Sequence, residues 1–123
     1  MRRRIRESIT KYMTNFKINN IGVKIKQLAG KPWQPLEFGR VNDQVLQLAL
    51  FKGEYHWHKH NAEELFYVAI GQITIQFKDR KDVVLGPGDI CVVPKGVLHC
   101  PKSAGESYVL MVEPENLKSI TLE

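Results

Sequence analysis

An all-β sandwich or barrel is the fold class this sequence predicts, and three features predict it. From Gly22 onward, short apolar or alternating runs recur about every 8 to 12 residues, separated by clusters of Gly, Pro, Asp and Lys. Residues 72–77 alternate cleanly, with Ile73, Ile75 and Phe77 on one face and Gln72, Thr74 and Gln76 on the other, which is a strand with one buried face and one wet face. Nothing after Gly22 sustains a helical period for longer than two turns.

The elements follow in order. A first strand is expected over 45–51, ended by Lys52-Gly53; a second over 55–60; a third over 64–70, turned by Gly71-Gln72; and the alternating fourth over 72–77. The charged turn Lys78 to Asp82 leads to a strand over 83–85. The GPGD turn at 86–89 leads to 90–93, the Pro94-Lys95-Gly96 turn to 97–101, and a last strand covers 107–113. No internal repeat or low-complexity segment interrupts them.

Residues 1–20 form a separate basic extension before a body at 21–123. Arg2, Arg3, Arg4, Arg6, Lys11 and Lys17 face only Glu7 there, so the extension accounts for the whole net charge of +5 and the remainder is balanced. The body therefore offers no general field for nucleic acid or a membrane surface. Ile5, Ile9, Tyr12 or Met13, and Phe16 give the extension a weak helical stripe. It reads as a solvated or docked helix, as an anionic-surface or organellar targeting segment, or as an upstream extension with Met13 the true start. Room for one helix excludes a helix-turn-helix reader. The basic start is followed by no apolar stretch of an export signal, and no run approaches the roughly 20 apolar residues of a membrane span. Cys91 and Cys100 lack CxxC spacing, which fits reduced thiols in a cytoplasmic protein.

The chemistry concentrates in two places. In His56-Trp57-His58-Lys59-His60, three imidazoles at spacing two on a strand point to one face, and Glu64 follows after a short turn. A single buried histidine is ordinarily a hydrogen-bonded core residue, and a wet strand face would hold three at no cost. Three imidazoles packed away from water need something to satisfy their lone pairs, and a divalent metal completed by a carboxylate does so. The second place is residues 86–99. Glycines at 86, 88 and 96 permit tight turns, and Pro94 fixes φ at a strand end, returning His99 toward the first cluster.

On these residues the chain resembles a small single-domain cupin over about residues 40 to 114. The family's first motif, G-x5-H-x-H-x3,4-E-x6-G, is met by His58, His60, Glu64 and Gly71; its second, G-x5-P-x-G-x2-H-x3-N, by Gly88, Pro94, Gly96 and His99. Gly53 lies one residue too near His58, and Ser103 stands where the motif has Asn. The resemblance implies a double-stranded β-helix, a short jelly-roll barrel, with one divalent ion (Fe, Mn, Ni or Zn) on His58, His60, Glu64 and His99.

His56 is expected outside the ligand shell, either exposed or as a proton carrier at the mouth. Phe66 and Val68 share parity with Glu64 and are candidates for the pocket wall, or plain core in the case of Val68. Tyr55 and Trp57 are placed by parity on the outer face, suggesting a homodimer contact. The resemblance implies a metal-dependent enzyme on a small molecule, of the oxygenase or the sugar isomerase or epimerase type; a non-catalytic ligand-binding or sensing module is the alternative, and a closed structural metal site a third. No Arg or Lys is clearly placed inside the barrel, which weakens the sugar-phosphate reading.

Overall fold

The computed structural model describes residues 16–122. Among these, one helix, α1 (Ile21–Leu28), precedes nine strands: β1 (Leu36–Val41), β2 (Gln44–Glu54), β3 (Trp57–His60), β4 (Glu64–Ile70), β5 (Ile73–Phe77), β6 (Val83–Leu85), β7 (Ile90–Val93), β8 (His99–Pro114) and β9 (Ser119–Leu122). All strand ladders are antiparallel, and the fold is the expected all-β double-stranded β-helix. The readings made for the first 15 residues, namely the helical stripe, the targeting segment and a start at Met13, lie outside the described residues. No helix among the described residues is long and apolar enough to cross a membrane.

Strand β8 organises the barrel because its two halves serve different neighbours. His99 to Lys102 pair with β3 and β5, whereas Tyr108 to Val112 pair with β4; β2 runs along most of its length. Sequence reading splits this segment into 97–101 and 107–113, and the structure gives one strand with a register shift opposite Phe51 to Gly53. Exposed Ala104, Gly105 and Glu106 bulge out at the break between the two expected strands.

Two residues near this bulge explain how the departures from the motif are accommodated. Gly71 turns β4 into β5 at φ +95, and a Cβ there would stand 2.3 Å from Ser107 Oγ and 2.8 Å from its Cα. Ser107 Oγ accepts from Gln72 N at 3.0 Å, and Ser103 Oγ lies 2.8 Å from Ser107 Oγ and donates to the Gly105 carbonyl at 2.7 Å. The pair of serines thus pins the Gly71-Gln72 turn to β8. Gly53 adopts φ +80 at the β2 bulge, absorbing its displaced spacing.

Inward residues of alternating strands fill the barrel: Phe66 and Val68 of β4, Ile73 and Ile75 of β5, Val109 and Met111 of β8. The helix was not expected. At two turns it is too short for its period to stand out, although Asn20 caps it by accepting from Val23 N at 3.2 Å and Ala29 ends it at φ +51. Leu28 covers Leu48 and Leu50 on the outer face of β2, while Ala49 and Phe51 face the barrel. The unbroken apolar run Leu48 to Phe51 is therefore a strand buried on both faces.

Candidate metal centre

Three strands deliver the four candidate ligands. His58 and His60 alternate with half-exposed Lys59 on β3, so both imidazoles enter the barrel, where His58 is 5% exposed. His58 stands directly across the ladder from His99 at the start of β8. The turn before His99 is fastened to the same strand, since Gly96 N donates to the His60 carbonyl at 2.9 Å. Glu64 opens β4 after the Asn61 to Glu63 connection. One ligand atom from each of the four residues lies within 4.8 Å of the other three, so the group could hold a metal ion.

Each imidazole is oriented through its Nδ1. His58 Nδ1–H donates to the His56 carbonyl and His99 Nδ1–H to the Val97 carbonyl, both at 2.8 Å; His60 Nδ1 meets Ser119 Oγ at 2.7 Å. A carbonyl can only accept, so His58 and His99 carry their proton on Nδ1 and turn a bare Nε2 lone pair inward. His60 Nε2 lies 3.1 Å and His99 Nε2 3.9 Å from Glu64 Oε1. Two ligands about 2.1 Å from one ion at a right angle stand roughly 3.0 Å apart, so the shorter separation matches an edge of a coordination polyhedron. His99 Nε2 is buried and has no hydrogen-bond partner among the described residues. An orphaned lone pair beside a carboxylate and two more imidazoles is what a cation would satisfy.

The electrostatics keep this set ready to bind. Burial lowers the His58 pKa to about 4, the neighbouring His99 and His60 add to the fall, and the His56 carbonyl and Glu64 only partly oppose it, so His58 is neutral at pH 7. Burial pushes the Glu64 carboxyl up, but the hydrogen bond to His60, with the nearby His99 and Glu113 acting the same way, outweighs it and holds it well below the usual carboxylate range. Glu113 takes the opposite course. Burial and the neighbouring Glu64 carboxylate push it up to about 8, with Gln47 pulling weakly the other way.

His58, His60 and Glu64 line a cavity of about 540 Å³ together with Trp33, Phe51, Tyr55, Phe66, Glu113 and Glu115, and His99 adjoins the three ligands without lining the cavity itself. The residues predicted from sequence as ligands, His58, His60, Glu64 and His99, are thus brought together. His56 is exposed at the cavity rim, its ring 5.3 Å from His58. It lies before the first residue of β3, so the period of two that would align it with His58 and His60 does not apply. Tyr55 is corrected for the same reason. It belongs to no strand, stacks on Trp33 at 4.8 Å and lines the cavity, rather than facing outward. Trp57 does lie on the side away from the ligands, half-buried under Lys78, whose Nζ is 4.1 Å from the ring centroid. Phe66 lines the cavity, and Val68 is plain core. Burial raises the pKa of both Cys91 and Cys100, which are free.

Sequence reasoning missed Trp33, Ser119, Gln47 and Glu113. Trp33 sits outside any strand at φ +62, fixed by its indole N–H on the Lys52 carbonyl at 3.0 Å, and no local pattern announces it. Gln47 and Glu113 were legible: each is the polar member of an otherwise apolar inward series, Val45, Ala49 and Phe51 on β2, and Val109 and Met111 on β8.

Residues 49–113 match the family described as Cupin domain. The chain is 39% identical over 84 residues to Uncharacterized protein YdbB of Bacillus subtilis (strain 168), covering 68% of this chain and 74% of that protein. It is similar in structure to a cupin-2 domain containing protein from Shewanella frigidimarina NCIMB 400, with TM-score 0.75, 31% identity, and coverage of 80% of this chain and 95% of that one. The chain belongs to the cupin family. It also matches 3-hydroxyanthranilate 3,4-dioxygenase of Bos taurus, 32% identical over 66 residues, covering 51% of this chain but only 23% of that enzyme.

Proposed function

We propose that this chain is a metal-dependent enzyme of the oxygenase type, acting on a small molecule bound in the barrel cavity above His58, His60, Glu64 and His99. The observation that carries the reading is the buried His99 Nε2, which has no hydrogen-bond partner among the described residues and is clustered with ligand atoms of His58, His60 and Glu64, three residues that line the cavity. The likeness to the bovine dioxygenase supports the oxygenase type over the isomerase type. A redox-active divalent metal such as iron, held by these four residues, would supply Lewis-acid and one-electron redox chemistry.

The residues of the chain perform the rest. The anchored Nδ1 positions of His58, His60 and His99 fix the three rings before any metal arrives, so little ordering is lost on binding. Glu64 contributes one negative charge, leaving a divalent ion with charge still to be balanced by a ligand atom from the cavity side. Trp33, Phe51 and Phe66 keep water from the floor and present flat apolar surface to a ring or short chain. The absence of Lys and Arg among the cavity-lining residues disfavours phosphorylated sugars, the substrates of the isomerase reading.

The test is metal analysis of the protein as purified, followed by oxygen uptake by the iron(II)-loaded protein with catechol and aminophenol. Substoichiometric metal that cannot be restored would overturn the metal reading. Tight metal and ligand binding without oxygen uptake would place the chain with the non-catalytic binding modules.

A further inference from the structure

One wall of the cavity is a run of packed rings that the metal centre does not need. Phe51, buried on β2, meets Trp33 at 4.5 Å between centroids, Trp33 stacks on Tyr55 at 4.8 Å and 29°, and Tyr55 meets His56 at 3.7 Å. All four line the cavity, and the run leads from the barrel core out to exposed His56. Trp33 stands in the middle of it, held against its own backbone preference. It adopts φ +62, a conformation costly for a bulky side chain. Two hydrogen bonds to β2 tie it there, its backbone N–H on the Leu50 carbonyl at 2.9 Å and its indole N–H on the Lys52 carbonyl at 3.0 Å. Core filling accounts for Phe51, but not for a tryptophan brought in from outside the strands with Tyr55, 37% exposed, stacked beyond it. The run also reaches the candidate ligands, with the Tyr55 ring 5.3 Å from that of His58.

We infer that Trp33 is the specificity-determining residue of the cavity, selecting metal-binding small molecules that carry a flat aromatic ring over equally large ones that are saturated and puckered. The inference rests on the reading of the cavity as the ligand site of the metal. A molecule whose donor atoms reach the ion lays the rest of its body beside this wall. Aromatic pairs gain from offset-stacked and edge-to-face contact beyond the apolar area they bury, so a wall of rings favours a flat ligand ring by either geometry and gains nothing of the kind from a saturated one. A wall fixed beforehand also loses little ordering on binding, and the two hydrogen bonds of Trp33 provide that fixation. Selection of this kind works by shape and ring polarity, independent of the charge on any cavity group.

The experiment titrates cobalt-loaded full-length protein with three probes that share one chelating head: benzohydroxamate, cyclohexanecarbohydroxamate and acetohydroxamate. The first two carry rings of the same carbon number, one flat and one puckered, and the cobalt visible spectrum reads binding. Wild type should bind benzohydroxamate about tenfold tighter than cyclohexanecarbohydroxamate. Trp33→Gly removes the ring and places at the positive φ a residue that adopts it freely, and its preference should fall to about twofold or less. Tyr55→Leu, at an exposed position outside the strands, should shrink the preference by a smaller factor and serves if the first variant fails to fold. In zinc-loaded Trp57→Phe, where Trp33 is the remaining tryptophan, benzohydroxamate should change the emission and acetohydroxamate should leave it unchanged. If acetohydroxamate perturbs the cobalt spectrum but the two ring probes bind equally, the preference survives both variants, or benzohydroxamate leaves the Trp33 emission unchanged, Trp33 is overturned while the metal site stands. If no probe perturbs the spectrum of wild type, the cavity reading itself falls and takes this inference with it.

Discussion

Replacing His99 by leucine should reverse sign between the metal-free and metal-loaded protein. His99 is fully buried, with Nδ1 on the Val97 carbonyl at 2.8 Å and Nε2 on nothing. Without metal, the orphaned nitrogen costs about 1–3 kcal/mol, while the Nδ1 hydrogen bond contributes about 1 kcal/mol. A leucine of similar volume removes both and adds apolar contact with Phe66 and Phe77, which flank the ring at 6.3 and 6.5 Å between centroids. The variant should therefore be more stable in chelator by about 1 kcal/mol, a midpoint higher by roughly 4 °C for a domain of this size. With metal 1,000-fold above its dissociation constant, wild type gains about 4 kcal/mol. The variant, left with three ligands, gains much less, and the order inverts. Thermal unfolding followed by circular dichroism, with chelator and with cobalt, reads both halves. A variant that is less stable than wild type by more than 1 kcal/mol in chelator, or an order unchanged by metal, would refute the claim that Nε2 is a ligand atom waiting for its ion.

Other expectations follow from the same structure. Because Glu113 is raised to about 8 from its usual 4.5, the native state holds a proton that the unfolded chain releases, so its contribution is full below pH 4.5 and is lost as pH rises to 8. Metal-free Glu113→Gln should gain on wild type by about 2 kcal/mol between pH 5 and 8, allowing for partial solvent screening, and a constant gap in denaturant titrations would contradict the assignment. His58, lowered to about 4, acts at the other end: the unfolded chain protonates first as pH falls below 6.5, and metal-free stability should drop from there to pH 4. Gly71→Ala forces a side chain into Ser107 at positive φ and should cost about 3 kcal/mol, a midpoint fall of roughly 12 °C by calorimetry. Ser119→Ala frees the His60 ring and should weaken metal binding by about 10- to 100-fold while leaving the melting of the metal-free protein nearly unchanged.

Legibility in the sequence followed the range of the interactions involved. Strands β4, β6 and β7 have the expected bounds because turn residues such as Gly71, Gly86 and Pro94 punctuate them locally. His58, His60 and Glu64 were legible as a chelating set from short-range spacing, and His99 from the turns that precede it. What escaped depends on contacts distant along the chain. Helix α1 is held by Leu48 and Leu50, about twenty residues away. β1 and β9 take their conformation from pairing with β2 and β3 rather than from their own alternation. Tyr55 was misplaced because strand parity was extended two residues beyond the start of β3. Trp33 reaches the cavity only because the segment after α1 folds back over β2, with its N–H on the Leu50 carbonyl at 2.9 Å. Glu113 and Gln47 are the instructive omission, since polar residues at inward parity on two otherwise apolar strands mark a polar side of the cavity that local spacing alone does not announce.

X-ray absorption at the cobalt or iron edge of the loaded protein tests the central claim most directly. The account predicts one ion per chain with three imidazole nitrogens and a carboxylate oxygen at about 2.0–2.2 Å, no sulfur, and one or two further light atoms that change when catechol is added. A sulfur neighbour near 2.3 Å, fewer than three imidazoles, or a shell indifferent to catechol would contradict it.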